Sequence, residues 1–282
     1  MAHSKHVDRY AVIGNPVAHS LSPRIHAEFA RATGESLEYQ AIEIAVDAFA
    51  AGIAELQQQK FRGLNVTVPF KREAWELCNS LSSRARIAGA VNTLCLQSDG
   101  TIHGDNTDGV GLTRDLQDNH GIALKARRLL LLGAGGAARG VIAPLLAEQP
   151  HSLVIANRTH ARAVELAERF HAIGPVSALP LDALPGREFD LLINATAASL
   201  HNQVPNIPIT VVATGGCCYD MMYAAEATPF MVWARDSAAE SNVDGAGMLV
   251  EQAAEAFYLW RGVRPETKAV IHALRAQLEA AL

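Results

Sequence analysis

Lys71 and Asp108 are the residues here whose types and setting suit chemistry. They lie in two short segments, Asn65-Val66-Thr67-Val68-Pro69-Phe70-Lys71 and Gly104-Asp105-Asn106-Thr107-Asp108-Gly109, and both segments precede a glycine-rich loop at Gly133. An ammonium and a carboxylate brought together can move a proton at a carbonyl or an alcohol. A glycine loop between an apolar strand and a helix suits a dinucleotide phosphate. The order of the segments therefore predicts proton transfer from the first part of the chain and a bound redox cofactor on the second.

The loop Ala18-His19-Ser20-Leu21-Ser22 runs into Pro23, which suits a first helical position, and Ile25, His26, Phe29 and Ala30 are spaced for one face of the helix that follows. Ser22 is then the expected N-cap. Free N–H groups and a partial positive charge at that helix start could hold a carboxylate, with Ser20 and Ser22 adding hydroxyls. The alternative is that Ser22 only caps and Ser20 faces water.

Alternating strands and helices must position these groups. Residues 10–14 read as a buried strand that turns at Gly14-Asn15-Pro16, residues 37–44 as a second strand, and residues 47–59 as an amphipathic helix. Another strand over 63–68 stops at Pro69, because proline cannot continue a central ladder, so Lys71 belongs at a strand end. Residues 90–96 and 101–104, joined by Ser98-Asp99-Gly100, read as a hairpin that delivers Asp105 to Asp108 to the next loop. This pattern predicts a small α/β domain.

The next stretch reads as a Rossmann unit. Strand 128–132 leads into Gly133-Ala134-Gly135-Gly136-Ala137-Ala138, which matches G-x-G-x-x-G/A, and a second strand follows at 152–156. An NAD site usually ends that second strand with an acid. Here Asn157-Arg158-Thr159 stands instead, with Arg162 one turn further, so a 2'-phosphate and hence NADP are expected. Further strands are expected at 190–194 and near 211–213, their ends being candidates for the nicotinamide side. Residues 244–257 read as a glycine-rich loop entering a helix on which Met248 and Gln252 share a face.

Composition narrows the classes. The 282 residues are nearly twice the usual domain of about 150, so two domains are expected. With 49% hydrophobic and 19% charged residues the chain reads as folded, and a net charge of -5 without a large basic cluster argues against nucleic acid. Four cysteines, Cys78, Cys95, Cys217 and Cys218, lack zinc spacing, so no metal is expected. Cys217 and Cys218 read as buried strand residues in a reducing compartment rather than a vicinal disulfide. No signal-like N-terminus and no apolar run of membrane-spanning length are present, and a cytoplasmic protein is expected.

Over nearly its full length the chain resembles the shikimate dehydrogenase family. The resemblance is carried by Gly14-Asn15-Pro16 with Ser20-Leu21-Ser22-Pro23, Asn65 to Lys71, Gly89 to Thr93, Gly104 to Gly109 and Gly133 to Ala137. It continues through Asn157-Arg158-Thr159, Asn194-Ala195-Thr196, Tyr219 to Tyr223, Thr228-Pro229-Phe230 and Asp244 to Gln252. It implies NADPH-dependent reduction of 3-dehydroshikimate to shikimate, on the route to chorismate and the aromatic amino acids. It implies Lys71 and Asp108 as the catalytic pair, Ser20, Ser22 and Tyr223 at the substrate carboxylate, and Thr67, Asn92 and Gln252 at the ring hydroxyls or the carboxylate. For NADP it implies Gly133, Ala134, Gly135, Gly136 and Ala137 at the pyrophosphate, Asn157, Arg158, Thr159 and Arg162 at the 2'-phosphate, and Met221 and Gly245 near the nicotinamide.

The expected architecture is α/β: a substrate-binding and catalytic domain over 1–105, a Rossmann NADP-binding domain over 106–244, and C-terminal helices over 245–282 packing back on the first domain. A cleft between the domains, monomeric or homodimeric assembly and a small-molecule substrate complete the expectation. Two departures stand out. Ala197-Ala198-Ser199 follows Asn-Ala-Thr where many members carry a serine and then a glycine, and Ser83 stands where some carry an acid that touches the cofactor. The alternatives are a quinate/shikimate dehydrogenase with relaxed substrate or cofactor choice and a non-enzymatic dinucleotide-binding sensor.

Overall fold

A computed structural model describes residues 7–196, 198 and 203–280. Its contacts divide the chain into two compact units, one of residues 1–108 with 250–270, the other of 109–249 with 271–282.

In the first unit β1 (Asp8–Gly14), α1 (Ser22–Thr33), β2 (Leu37–Glu43), α2 (Phe49–Gln58) and β3 (Phe61–Val66) alternate, followed by α3 (Lys71–Leu77), β4 (Ser80–Leu81), α4 (Ser83–Ala88), β5 (Thr93–Leu96) and β6 (Ile102–Asp105). The sheet order is β2-β1-β3-β5-β6-β4. β1 pairs in parallel with β2 and β3, whereas β5 runs antiparallel to both β3 and β6. The antiparallel pair is the expected hairpin, and Thr93 sits opposite Asp105 in it. β3 stops at Val66, two residues earlier than expected, because Thr67 turns the chain by accepting at its carbonyl from Phe70 N.

One face of this sheet packs Ile13, Leu64, Val66, Phe70, Val91 and Leu94 with Ile53 and Leu56 of α2. An aromatic group of Tyr10, His26, Phe29, Tyr39, Phe257 and Trp260 also belongs to the first unit. His26 stacks on Tyr39 at 4.1 Å with 5° between the rings. The ring is fully buried, and burial pushes its pKa down from 6.5 to about 3, with Asn65 opposing in part, so it is neutral at pH 7.

α5 (Asp108–Arg114) leads into the second unit, which contains β7 (Arg128–Leu132), α6 (Gly136–Ala147), β8 (Ser152–Ala156), α7 (His160–Phe170), β9 (Val176–Leu179), β10 (Phe189–Asn194), β11 (Val212–Asp220), α8 (Pro229–Ala234) and β12 (Ala239–Asp244). Its six strands are all parallel in the order β12-β11-β10-β7-β8-β9. This is the doubly wound arrangement, with β7 central and the order reversing between β7 and β10. Buried on both faces, β7 is almost purely leucine. Cys217 and Cys218 are buried free thiols of β11, each pushed up to about 12 by burial.

α9 (Ala246–Arg261) and α10 (Lys268–Ala280) complete the chain. Residues 250–270 belong to the first unit and 271–282 to the second, so the C-terminal segment is shared between them. Trp260 anchors α9 within the first unit by donating from Nε1 to Leu94 O at 3.1 Å. No helix among the described residues is long and apolar enough to cross a membrane.

Candidate active site

Lys71 and Asp108 are each the first residue of a short helix, α3 and α5. Buried Phe70 stacks on Phe49 at 4.8 Å and fixes the start of α3, while Val91 N donates to Lys71 O at 2.8 Å. Lys71 Nζ donates to Asp108 Oδ2 at 2.5 Å, and the two side chains are 18% and 8% exposed. The pair is thus largely withdrawn from water yet reachable through the lysine.

Asn92 holds the other carboxylate oxygen. Its Nδ2 donates to Asp108 Oδ1 at 2.8 Å and to Thr107 Oγ1 at 2.9 Å, and its Oδ1 accepts from Thr107 N at 2.8 Å and from Thr93 Oγ1 at 2.8 Å. Gln252 Oε1 lies 3.4 Å from both Asn92 Nδ2 and Thr107 Oγ1. With both hydrogens and the carbonyl of Asn92 engaged, its amide orientation is determined by its partners. Asp108 is thereby held between a lysine and an amide, and the lysine, the more exposed of the pair, is the group that can meet a substrate oxygen.

Around this pair the first unit gathers Asn92 and Gln252, and Thr67 occupies the turn after β3. Thr67 N donates to Ile13 O at 2.9 Å, and a Cβ on Gly14 would fall 2.4 Å from Thr67 Cγ2, so only glycine lets the two loops approach this closely. Ser20 and Ser22 lie at the entrance to α1. Ser22 is not its N-cap: the helix begins at Ser22, Leu21 precedes it as cap without a side-chain bond, and Ser20 Oγ accepts from Ser22 N at 3.3 Å. Ser22 is buried, only 6% exposed. Tyr223 belongs to the second unit, beyond the end of β11, and burial pushes its phenol up.

Several polar groups in this region had been assigned no role from the sequence. Thr107 and Thr93 join the bonds described, Asn65 Nδ2 donates to Thr93 Oγ1 at 3.2 Å and the Tyr39 hydroxyl to Asn65 Oδ1 at 2.7 Å, and Arg84 forms a fork onto Asp105 at 2.7 and 2.9 Å while also bonding Glu255 at 3.0 Å. Thr107 was open to discovery, lying beside Asp108 in its segment. Tyr39 had no such signal, because it looks like any strand residue of β2.

In the second unit Gly133 follows β7 with φ +110, and a Cβ there would fall 3.1 Å from the Ala195 carbonyl carbon and oxygen. Gly135 and Gly136 are exposed at the start of α6, where first-turn amides are open to an anion. Ala134 is buried and Ala137 partly so. Gly133 N donates to Ala156 O and Ala195 N to Leu132 O, both at 2.8 Å, so the glycine loop lies between the ends of β8 and β10. Arg158, Thr159 and Arg162 are exposed just after β8, and Asn157 Nδ2 braces the loop by donating to Thr159 O at 2.9 Å. No carboxylate occupies 157–159, and an open backbone cradle beside two exposed arginines fits a phosphorylated dinucleotide.

β11 runs from Val212 to Asp220, so its end lies at Asp220 and not near 213. There Asn194 Nδ2 donates to Asp220 Oδ1 at 3.0 Å and Met221 N to Asn194 O at 2.9 Å, while Gly245 N donates to Met222 O at 3.0 Å. Met222 and Gly245 are thus tied together at the carboxyl ends of β11 and β12, with the Met221 backbone packed against Gly245 and bonded to Asn194. Of the departing segment, residues 197 and 199 lie outside the described residues. Ser83 is the first residue of α4.

A doubly wound parallel sheet with its glycine loop at the reversal point, together with a buried lysine–aspartate pair on a second α/β unit, defines a nicotinamide-dinucleotide-dependent oxidoreductase. Family models match residues 12–94 as shikimate dehydrogenase substrate binding domain, 115–204 as shikimate / quinate 5-dehydrogenase, and 245–275 as shikimate 5'-dehydrogenase C-terminal domain. The shikimate dehydrogenase (NADP(+)) of Methylococcus capsulatus is 55% identical over 97% of this chain and 98% of its own. An Ael1 enzyme from Pseudomonas putida superposes with a TM-score of 0.89 at 46% identity, covering 95% of this chain and 98% of the other. The Thermus thermophilus shikimate 5-dehydrogenase solved with NADP(H) and shikimate gives 0.84 at 36% identity, covering 96% and 100%. The chain belongs to the shikimate dehydrogenase family.

Proposed function

We infer that the protein catalyses the reversible NADPH-dependent reduction of 3-dehydroshikimate to shikimate, a step of the shikimate pathway toward chorismate and the aromatic amino acids. The observation that carries this is the Lys71–Asp108 contact at 2.5 Å inside a web of amide and hydroxyl groups suited to a polyhydroxylated ring, in a chain with NADP-dependent relatives at 55% identity. NADPH, when bound, supplies the hydride. Lys71 Nζ meets the ring carbonyl oxygen and donates a proton as negative charge develops there, and takes it back in the reverse direction; such a role is commonly worth about 10² to 10⁴ in rate.

Asp108 orients the lysine through Oδ2 and accepts from a substrate hydroxyl, while Asn92 keeps its carboxylate from rotating. Thr67 and Gln252 bind ring hydroxyls, and Ser20, Ser22 and Tyr223 bind the substrate carboxylate. Gly133 to Ala137 hold the pyrophosphate, Asn157 to Arg162 the 2'-phosphate, and Met221 and Gly245 the nicotinamide side. The same reading takes 1–105, 106–244 and 245–282 as substrate, cofactor and returning C-terminal segments, and takes the enzyme to act in the cytoplasm as a monomer or homodimer.

The test follows NADPH absorbance with purified protein, shikimate and NADP+. Turnover with shikimate and NADP+ well above that with quinate or NAD+ is expected; folded protein without turnover overturns the assignment and favours a dinucleotide sensor.

A further inference from the structure

Behind Asp108, the first unit carries a line of buried and half-buried side chains joined in one direction. The Tyr39 hydroxyl donates to Asn65 Oδ1 at 2.7 Å, and Asn65 Nδ2 donates to Thr93 Oγ1 at 3.2 Å. Thr93 Oγ1 donates to Asn92 Oδ1 at 2.8 Å, and Asn92 Nδ2 donates to Asp108 Oδ1 at 2.8 Å. Every donor points toward the carboxylate, and Asn65, Asn92, Thr93 and Asp108 are all buried, Thr93 completely.

A chain of hydrogen bonds aligned in this way polarises its members in the same sense, and in a low-dielectric interior each bond strengthens the next. Each member also has few alternatives. Asn65 Nδ2 is otherwise only 3.3 Å from Asn92 O, and Asn92 spends its remaining hydrogen on Thr107. The tyrosine ring is held independently of its hydroxyl by the stack on His26 at 4.1 Å.

We propose that Tyr39 is a positioning residue for the reaction: through Asn65, Thr93 and Asn92 its hydroxyl sets the Asp108 carboxylate, and with it the lysine that Asp108 holds. This rests on the substrate reading given above. Tyr39 touches neither substrate nor cofactor in this scheme and acts only through its partners. A tyrosine that merely packs would need its ring and not its hydroxyl.

The experiment uses the full chain as wild type, Tyr39→Phe, Thr93→Val, Thr93→Ser and the Tyr39→Phe/Thr93→Val double variant. Steady-state constants are measured with shikimate and NADP+, and melting temperature is measured beside them. Tyr39→Phe keeps the stacked ring; it is expected to lower kcat/KM for shikimate by about tenfold, the usual worth of one well-placed bond to a site of charge. KM for shikimate rises and kcat falls, while KM for NADP+ stays within about twofold. Thr93→Val breaks the line at its centre and loses at least as much, and Thr93→Ser, which keeps the hydroxyl, restores activity. Because both changes break one line, the double variant is expected to match Thr93→Val alone.

Additive losses overturn the proposal, as do a serine variant no better than valine or wild-type kinetics in Tyr39→Phe with only a lowered melting temperature. These outcomes are read against an active wild type. A wild type that does not turn over shikimate removes the functional reading itself, and the proposal with it.

Discussion

Around Asp108 in the first unit, side chains hold side chains. Asn92 and Thr93, Thr107, and Gln252 come from three separate stretches of chain and fill one another's donors and acceptors. Around Gly133 in the second unit the backbone sets the geometry instead. A glycine at φ +110, exposed amides at 135 and 136 and a braced loop at 157–159 face outward, and the charged side chains there are open to solvent. Proton transfer needs atoms placed within tenths of an ångström, which interlocked side chains provide. Binding a flexible, multiply charged dinucleotide needs open amides and cations, which a strand-turn-helix presents directly. Substitutions in the first region should therefore damage catalysis and folding together, whereas those at the exposed cations should change cofactor choice alone.

The largest expected effect sharpens the first half of this contrast. Lys71→Ala removes the proton donor and should lower kcat by about 10² to 10⁴, with shikimate affinity, measured by fluorescence titration, weakened far less. Near wild-type turnover would remove the lysine from its role.

Asn92→Ala comes next. It strips Asp108 Oδ1 of its amide donor and orphans Thr107 N in a buried setting, which costs about 1 to 3 kcal/mol of stability. Urea denaturation should register that loss, and kcat should fall about tenfold or more.

Arg158→Ala is the counterpart in the second region. kcat/KM with NADP+ should fall about tenfold, one charge-assisted contact, with the NAD+ value and the melting temperature unchanged. A melting temperature lowered as far as in Asn92→Ala would break the distinction between the two regions.

The last effect, a change in the pH dependence of stability rather than in activity, concerns His26. Its folded pKa of about 3 lies below the ordinary 6.5, so below pH 6.5 the unfolded chain takes up a proton that the folded protein refuses. The stability this group contributes is complete above 6.5 and is lost as pH falls toward 3. In His26→Phe the stability-versus-pH curve over that window should be flatter than wild type by about 1.4 kcal/mol per pH unit. Parallel curves would mean that the histidine is protonated in the folded protein.

How far the sequence could be read follows the same division. Gly133 and Gly135 stand in one local run that makes the turn and the helix start, and the missing acid lies directly after the next strand, β8, so both the loop and the cofactor could be expected from two short stretches. Lys71 and Asp108 were visible as ionisable members of two tight segments. Ser22 was misplaced because a serine before Pro23 resembles a cap, whereas the helix begins at Ser22 itself and Leu21 takes the cap position. The end of β11 was missed because Gly215 and Gly216 interrupt the apolar pattern, and the strand continues past an irregular register there.

The sequence by itself determined the alternation of strands and helices, the glycine turn and the absence of an acid after β8, because each is decided by residues a few positions apart. The tertiary structure alone decided that Tyr39 reaches Asn65 from 26 residues away, that Asn65 reaches Thr93 from 28, and that Asn92 rather than a nearer group holds Asp108. Those bonds depend on strand order and register, and many residues had to pack together before any one of them could form.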